Sequence, residues 1–316
     1  MNLTSSDALD AKGGTRPCFL KGVPQDLQLN YFYYSNFVLT PFTALLGLWC
    51  FLSNGSVLIA ILRGGLQIRA GLFTLCSLTL TDLLWAVLVV PLYISFRVAE
   101  LKTGKVCANR SDWDNPFMVS SFFLCLFSTV GTLGVMSVDR FLAVSKPMWY
   151  KVVVKKRHTI FACCGVWFTS LSMVILKQVA LFPRKVLELF EACYIAPICS
   201  LIIILQVLTL VQLRRHNNGV ANMNEGGAQV PNPRQVNATE RQLAVVTRHV
   251  VALLGLVIVP VSLSVILSEV IGITLSYFAE PLYYTIATLC SGINPVLYYR
   301  GNAQIREGVA KLVKCQ

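Results

Sequence analysis

Long apolar runs, separated by short polar segments, dominate the chain. About 20 consecutive apolar residues form a helix that crosses the roughly 30 Å hydrocarbon core of a bilayer, and seven segments meet that length. They are too long and too uniformly apolar for the alternating strands of a membrane barrel. The pattern therefore predicts an all-α integral membrane protein built as a seven-helix bundle. The predicted spans are 37–62, 71–96, 117–138, 159–181, 192–213, 249–271 and 275–299.

The polar segments complete the domain organisation. Residues 1–36 form an N-terminal tail, residues 37–299 the seven-span domain, and residues 300–316 the C-terminal segment. Within the seven-span domain, residues 214–248 are rich in Asn, Gly and Pro, which favour turns. This segment is therefore predicted to be a flexible loop without a fold of its own.

Composition supports the membrane assignment, and the charges orient the chain. Hydrophobic residues make up 55% of the 316 residues and charged residues only 13%, which argues against a soluble enzyme. With the N-terminus outside, the inner segments hold 17 basic and four acidic residues, whereas the outer side holds ten of each. Basic residues accumulate in cytoplasmic loops. The net charge of +12 is thus explained by topology, and nucleic-acid binding is not indicated.

This orientation places two glycosylation motifs outside the cell. They begin at Asn2 and Asn109, and each has the Asn-x-Ser/Thr pattern. The interpretation places the protein in the plasma membrane, with its N-terminus outside and its C-terminus in the cytoplasm.

Several polar residues lie inside the predicted spans, where an ionisable group is costly. Asp82 is near the middle of span two, and four polar residues lie at comparable depths in other spans. An acid among hydroxyls and amides suits sodium or a proton, but such residues also join membrane helices by hydrogen bonds. Both readings remain open at this point. The four other residues are Asn54, Thr129, Ser291 and Asn294.

A second group of residues is typical of a conformational switch. Asp139 and Arg140 lie where span three reaches the cytoplasm, and Glu240 precedes span six. A bond between helix ends that is made in one state and broken in another is a known switch element. An acid and a base at a helix end are also found where charged side chains simply reach the membrane surface. Pro260 and Pro295 remove backbone hydrogen bonds in spans six and seven, so they predict kinks or hinges.

Taken in order, these motifs resemble the rhodopsin-type (class A) G-protein-coupled receptors. The strongest are Asp139-Arg140-Phe141 at the end of span three and Asn294-Pro295-Val296-Leu297-Tyr298 in span seven. Leu78-Thr79-Leu80-Thr81-Asp82 in span two adds to them. The resemblance covers the chain from about Phe37 to Cys315.

The resemblance implies roles for these residues. Asp82 and its four polar companions match the family's sodium pocket, and Arg140 matches the arginine that enters the G-protein interface. Glu240 matches an acid that holds this arginine in the resting state, and Tyr298 a tyrosine that moves inward on activation. Residues 300–316 match a short amphipathic cytoplasmic helix whose basic residues contact lipid headgroups, with Cys315 as a palmitoylation candidate.

The chain departs from the family pattern at four positions. Ile258, before Pro260, stands where an aromatic trigger is usual, and Leu205 replaces a tyrosine of span five. Phe122 stands where amine receptors carry an aspartate, which argues against an amine ligand. Thr288 stands in place of the retinal lysine of visual pigments, so no retinal cofactor is expected.

The family's conserved disulfide is also displaced, because Asn115 stands at the expected position in span three. Cys107 is available on the oxidising outer side, with Cys193 or Cys18 as its partner. Of the two pairings, Cys107–Cys193 is the one predicted.

We found no motif for catalysis in the sequence, so a non-enzyme is predicted. The favoured hypothesis is a cell-surface receptor that binds an extracellular ligand and activates a heterotrimeric G protein. The alternative is a seven-span transporter or channel that uses Asp82 as an ion site. A peptide, a lipid-like molecule and a small metabolite all remain open as ligands. Candidate pocket residues chosen by depth are Tyr93, Phe122, Cys125, Glu280, Tyr283 and Tyr284, and the resemblance adds Ile258 by its position in span six.

Overall fold

The computed structural model describes residues 24–63, 70–103, 116–179, 184–224, 275–301 and 303–313. Every regular element in these ranges is helical. A π-helical turn, Trp85–Val89, joins the second helix to the third. The helices are α1 (Gln25–Arg63), α2 (Ala70–Leu84), α3 (Val90–Thr103), α4 (Pro116–Ser145), α5 (Pro147–Val153), α6 (Lys156–Gln178), α7 (Arg184–Asn224), α8 (Leu275–Gly301) and α9 (Ala303–Val313).

The all-α membrane fold predicted from the sequence is confirmed. Five helical stretches are long and apolar enough to cross a membrane, and they coincide with the first five predicted spans. The seventh predicted span is α8, and the sixth, 249–271, lies outside the described residues. The five stretches are Asp26–Arg63, Leu72–Lys102, Pro116–Ser145, Lys156–Gln178 and Cys193–Gln212.

Several helices extend beyond the predicted spans, and α1 and α7 extend furthest. α1 begins at Gln25 rather than at 37, because one face of its first turns is buried, with Gln28, Leu29 and Phe32 at helical spacing. α7 continues to Asn224, so residues 214–224 of the predicted flexible loop are helical. Tertiary packing at α1 and helix continuation at α7 extend regular structure beyond the apolar stretches.

The chain divides into two compact units. The first comprises Met1–Leu52, Leu83–Phe122 and Ala252–Gly292, and the second comprises Ser53–Asp82, Phe123–Val251 and Ile293–Gln316. In the first unit, the Trp49 indole donates a hydrogen bond to the Gly292 carbonyl oxygen over 3.0 Å. The hydroxyls of Thr43 and Thr285 share a hydrogen bond of 2.7 Å. Both contacts join α1 to α8.

In the second unit, one serine connects three helices. The Ser77 hydroxyl of α2 lies 3.1 Å from the Thr132 hydroxyl of α4, and it accepts a 3.0 Å hydrogen bond from the Trp167 indole of α6. The Ser137 hydroxyl of α4 accepts a further bond from Gln206 of α7. Lipid chains offer these side chains no hydrogen-bond partners. The bonds between helices satisfy their polar atoms instead.

The C-terminal helix also follows its predicted pattern. α9 buries Ile305 and exposes Arg306, Glu307 and Lys311. A Cβ added at Gly308 would lie 3.1 Å from the Cβ of Ala60, so glycine permits a close approach of α9 to α1. The short amphipathic helix predicted after span seven is therefore present.

Close packing of α4 on α6 leads to a stability prediction. A Cβ at Gly131 would lie 2.7 Å from Val166 Cγ1, and valine has little rotameric freedom in a helix. Gly131→Ala is therefore expected to lower the free energy of unfolding by about 1–3 kcal/mol, the usual range for overpacking. Thermal unfolding of the purified protein in detergent measures the change. Gly165→Ala is the matched control, because no heavy atom lies within 4 Å of its added Cβ. Equal melting temperatures for the two variants would contradict the prediction.

Candidate functional site

The buried acid of span two has a partner on α8. Asp82 is 2% exposed, and Asn294 Nδ2 donates a 2.8 Å hydrogen bond to its Oδ2 atom. The sequence placed both residues at a similar depth, and the structure brings them into contact within the second unit. A carboxylate that accepts an amide hydrogen bond in a low-dielectric site is held more firmly than a neutral acceptor.

Two further predicted sodium-site residues lie in the same unit. Asn54 is fully buried and Thr129 is partly buried, whereas Ser291 belongs to the first unit, three residues before Asn294 on α8. Asp82, Asn54 and Thr129 offer carboxylate, amide and hydroxyl oxygens, which are the ligands preferred by hard cations. Among the described residues, no group of three or more His, Cys, Asp or Glu side chains is assembled for a metal. Oxygen donors such as those of Asp82, Asn54 and Thr129 suit a hard cation such as sodium.

The predicted switch lies at the C-terminal end of α4. Asp139, Arg140 and Phe141 are each partly buried there. The Tyr150 hydroxyl of α5 donates a 2.6 Å hydrogen bond to Asp139 Oδ1. Burial, and then this bond to the carboxylate, raise the pKa of Tyr150 above its ordinary value, so the phenol stays protonated and remains a donor. The contact between Tyr150 and Asp139 is revealed only by the structure.

Four of the predicted ligand residues in the first unit meet in a cluster of rings. We call this the aromatic cluster; it consists of Trp85, Tyr93, Phe122, Tyr283 and Tyr284. Tyr93 and Tyr284 stack with their centroids 4.3 Å apart, and Trp85 stacks on Tyr284 at 6.0 Å. Phe122 lies 5.8 Å from Trp85 and 5.9 Å from Tyr283. Four of the predicted pocket residues are therefore neighbours.

One residue of the aromatic cluster was not predicted. Trp85 begins the π-helical turn, and its indole nitrogen donates a 3.0 Å hydrogen bond to the Thr288 hydroxyl. From the sequence, Thr288 was notable only because it stands in place of the retinal lysine of visual pigments. A tryptophan within an apolar run carries no local signal for such a contact, because the partner is 203 residues away.

Sequence reasoning also missed a buried ion pair in the first unit. Arg97 Nη1 lies 2.7 Å from Glu100 Oε2, and the two side chains are 0% and 2% exposed. Their spacing of three residues on one helix was the available signal, since such residues face each other on a helix. Charge counting by loop assigned both residues to the outer rim and did not test whether they pair.

The remaining predicted residues divide into two groups. Pro295 and Tyr298 lie on α8, Cys125 is buried in α4, and Cys193 is an exposed free thiol on α7. Cys107 lies outside the described residues, so the Cys107–Cys193 pairing stays a prediction. Also outside the residues or side chains that the structure describes are Asn2, Asn109, Glu240, Ile258, Pro260, Glu280 and Cys315.

Comparison with known proteins identifies the architecture. The family model of the seven-transmembrane receptors (rhodopsin family) matches residues 53–185, which include Asp82 and the Asp139-Arg140-Phe141 motif. Cannabinoid receptor 1 of Xenopus laevis is 26% identical over 159 residues, covering 49% of this chain and 31% of that receptor. Human G-protein coupled receptor 161 is 29% identical over 140 residues, covering 42% and 25%.

A third relative, human free fatty acid receptor 3, is 34% identical over 82 residues, covering 24% of this chain and 20% of the receptor. The chain thus spans less than a third of the length of these relatives. The matched segment nevertheless carries the buried acid and the end of span three, in helices that have the expected order. Residues 53–185 are therefore similar to the rhodopsin family of seven-transmembrane receptors, and the relatives matched over part of their length are receptors as well.

Proposed function

We propose that this protein is a plasma-membrane receptor, with its N-terminus outside the cell, that binds an extracellular ligand and activates a heterotrimeric G protein. The observation that carries the proposal is the end of α4, where Tyr150 binds Asp139 beside a partly buried Arg140. The hydrogen bond holds α5 against α4 and orients the acid next to the arginine. Such a contact can differ between two states of a helix bundle, which is the requirement for a switch.

In this proposal the ligand acts by shifting a population. A ligand changes the balance between resting and active bundles only if it binds the active one more tightly. In the resting state, Arg140 is held by Asp139 and by the acid Glu240. In the active state it is released towards the G protein, together with the exposed basic residues Lys155, Lys156 and Arg157. No step requires catalysis by the receptor itself.

We further propose a sodium ion as an allosteric ligand. Asp82 would bind it, with oxygens from Asn54, Thr129 and Asn294 of the same unit. The support is the buried carboxylate of Asp82, with the buried Asn54 and the partly buried Thr129 in the same unit. A cation at this position neutralises a charge that is otherwise costly inside the membrane.

The transporter or channel hypothesis is the weaker one. The match of residues 53–185 to a receptor family and the receptor names of the relatives favour a receptor. Two of those names, cannabinoid receptor and free fatty acid receptor, refer to apolar or amphipathic molecules. Among the three open ligand classes, we therefore favour a lipid-like molecule. The aromatic cluster, whose rings offer apolar surface, is its candidate site.

Signalling without added ligand tests the proposal. In cells that carry sensors for each class of G protein, Glu240→Ala is expected to raise the basal signal because it removes one acid that restrains Arg140. Adding Arg140→Ala to that variant is expected to return the signal to that of mock cells. The class of sensor that responds identifies the G protein.

Lys102→Ala is the matched control, since Lys102 is an exposed base on α3 that has no part in the proposed contact with the G protein. It should leave at least most of the Glu240→Ala signal intact. All comparisons are made at equal surface expression. A silent Glu240→Ala receptor at normal surface expression would contradict G-protein coupling and shift the weight to transport.

A further inference from the structure

The buried ion pair at the end of α3 is an unusual feature of the first unit. Arg97 is fully buried, and its Cζ atom lies 5.5, 5.4 and 5.2 Å from the ring centroids of Phe32, Tyr93 and Phe96. Aromatic faces attract a guanidinium, and Glu100 neutralises its charge. Replacing such a pair with apolar residues is often neutral or stabilising. Stability alone therefore gives little reason for a pair of charges here.

The ion pair is continuous with the aromatic cluster. The ring of Tyr93 contacts Arg97 and also stacks on Tyr284, which in turn contacts Trp85, Phe122 and Tyr283. All of these residues belong to the first unit. A cation thus lies at one end of a connected set of rings. This combination is complementary to a molecule with an anionic head and an apolar body.

We propose that Arg97 binds the carboxylate head of a lipid-like monocarboxylic acid, and that Glu100 occupies this position until the ligand displaces it. The apolar body of the ligand packs against the aromatic cluster. The inference rests on the receptor function proposed above and names the ligand class of the same site.

The exchange keeps the charges balanced. One carboxylate replaces another on Arg97, so the guanidinium is neutralised before and after binding. Glu100 lies three residues before the end of α3 at Thr103, and its neighbour Lys102 is exposed. The displaced side chain therefore has a short path to water. The positive charge of Arg97 would repel a cationic ligand. This agrees with Phe122, which stands where amine receptors carry an aspartate.

Binding to the purified full-length receptor tests the inference without any G protein. The probe is a long-chain fatty acid with a photoreactive group on its chain, and its methyl ester is the uncharged counterpart. We expect the acid to label the wild type in a saturable manner and the ester to label it at least about tenfold less. A charge-assisted hydrogen bond corresponds to a factor of about ten to a hundred in affinity.

Three variants separate recognition from folding. Arg97→Leu combined with Glu100→Leu removes the cation without leaving a buried carboxylate, and it should lose acid labelling by about tenfold to a hundredfold. Glu100→Gln removes the internal competitor and should bind the acid more tightly. Lys102→Gln, which changes an exposed cation on the same turn, should bind the acid like the wild type.

The inference is overturned if the wild type binds neither probe, if acid and ester label it equally, or if the paired leucine variant keeps full labelling while its melting temperature matches the wild type. None of these results depends on signalling. Acid binding without any G-protein signal would contradict only the proposed function. A signal that depends on Arg140, without acid binding, would contradict only the ligand class.

Discussion

Arg97→Leu is expected to destabilise the protein by about 3–5 kcal/mol, because it leaves Glu100 as an uncompensated buried charge. The carboxylate is 2% exposed, and its 2.7 Å contact with Arg97 is lost. The change also removes a guanidinium from the faces of Phe32, Tyr93 and Phe96. The melting temperature of the purified protein should fall markedly, and so should its expression at the cell surface.

The paired change, Arg97→Leu with Glu100→Leu, is expected to recover most of that loss. Two apolar side chains in the same space require no desolvation of ions, so the net cost of the pair is small. Lys102→Leu is the control on the same helix, and its exposed side chain should be replaceable within about 0.5 kcal/mol. A paired variant as unstable as Arg97→Leu alone would show that the rings, rather than the charges, determine stability here.

Asp82→Asn is expected to abolish the sodium dependence of the receptor's thermal stability. A ligand that binds only the folded state stabilises it by RT ln(1 + [L]/Kd), which amounts to about 2.7 kcal/mol at a hundredfold excess over Kd. The wild type should therefore melt at a higher temperature in sodium chloride than in choline chloride at the same ionic strength. The asparagine keeps a polar group opposite Asn294 but removes the negative charge that attracts the ion.

Asp82→Ala separates the ion from the hydrogen bond. It leaves the buried Asn294 amide without its 2.8 Å acceptor. In choline chloride, its free energy of unfolding should therefore be about 1–3 kcal/mol lower than that of Asp82→Asn. Asp26→Asn changes an exposed carboxylate in the first turn of α1 and should keep the wild-type sodium response. If Asp82→Asn melts with an undiminished sodium response, the ion does not bind at Asp82.

The candidate site was predictable where a side chain is conspicuous by its position in the chain. Asp82 stands alone in an apolar run, and burial of an acid there demands a partner. Depth alone suggested Asn294, which the structure confirms as a hydrogen-bonding neighbour of Asp82. Depth also selected Tyr93, Phe122, Tyr283 and Tyr284, but depth does not say which way a side chain faces. Their stacking became visible only with the helices packed.

Other contacts were not predictable because both partners are ordinary in sequence. Trp85 and Thr288 are far apart along the chain, and neither is unusual in a membrane helix. The π-helical turn Trp85–Val89 adds to the difficulty, since it changes the direction of the side chains that follow. Tyr150 pairs with Asp139 through the short helix α5, whose seven residues have no long periodic pattern.

By itself, the sequence determined the helical class, the approximate spans and the chemistry available at each depth. The reason is that a bilayer demands about 20 apolar residues per helix and penalises each polar exception. The tertiary structure decided the rest: the start of α1 at Gln25, the continuation of α7 to Asn224, and the pairing of Arg97 with Glu100. These depend on which faces of the helices meet, and lipid-facing and protein-facing residues are equally apolar in the membrane.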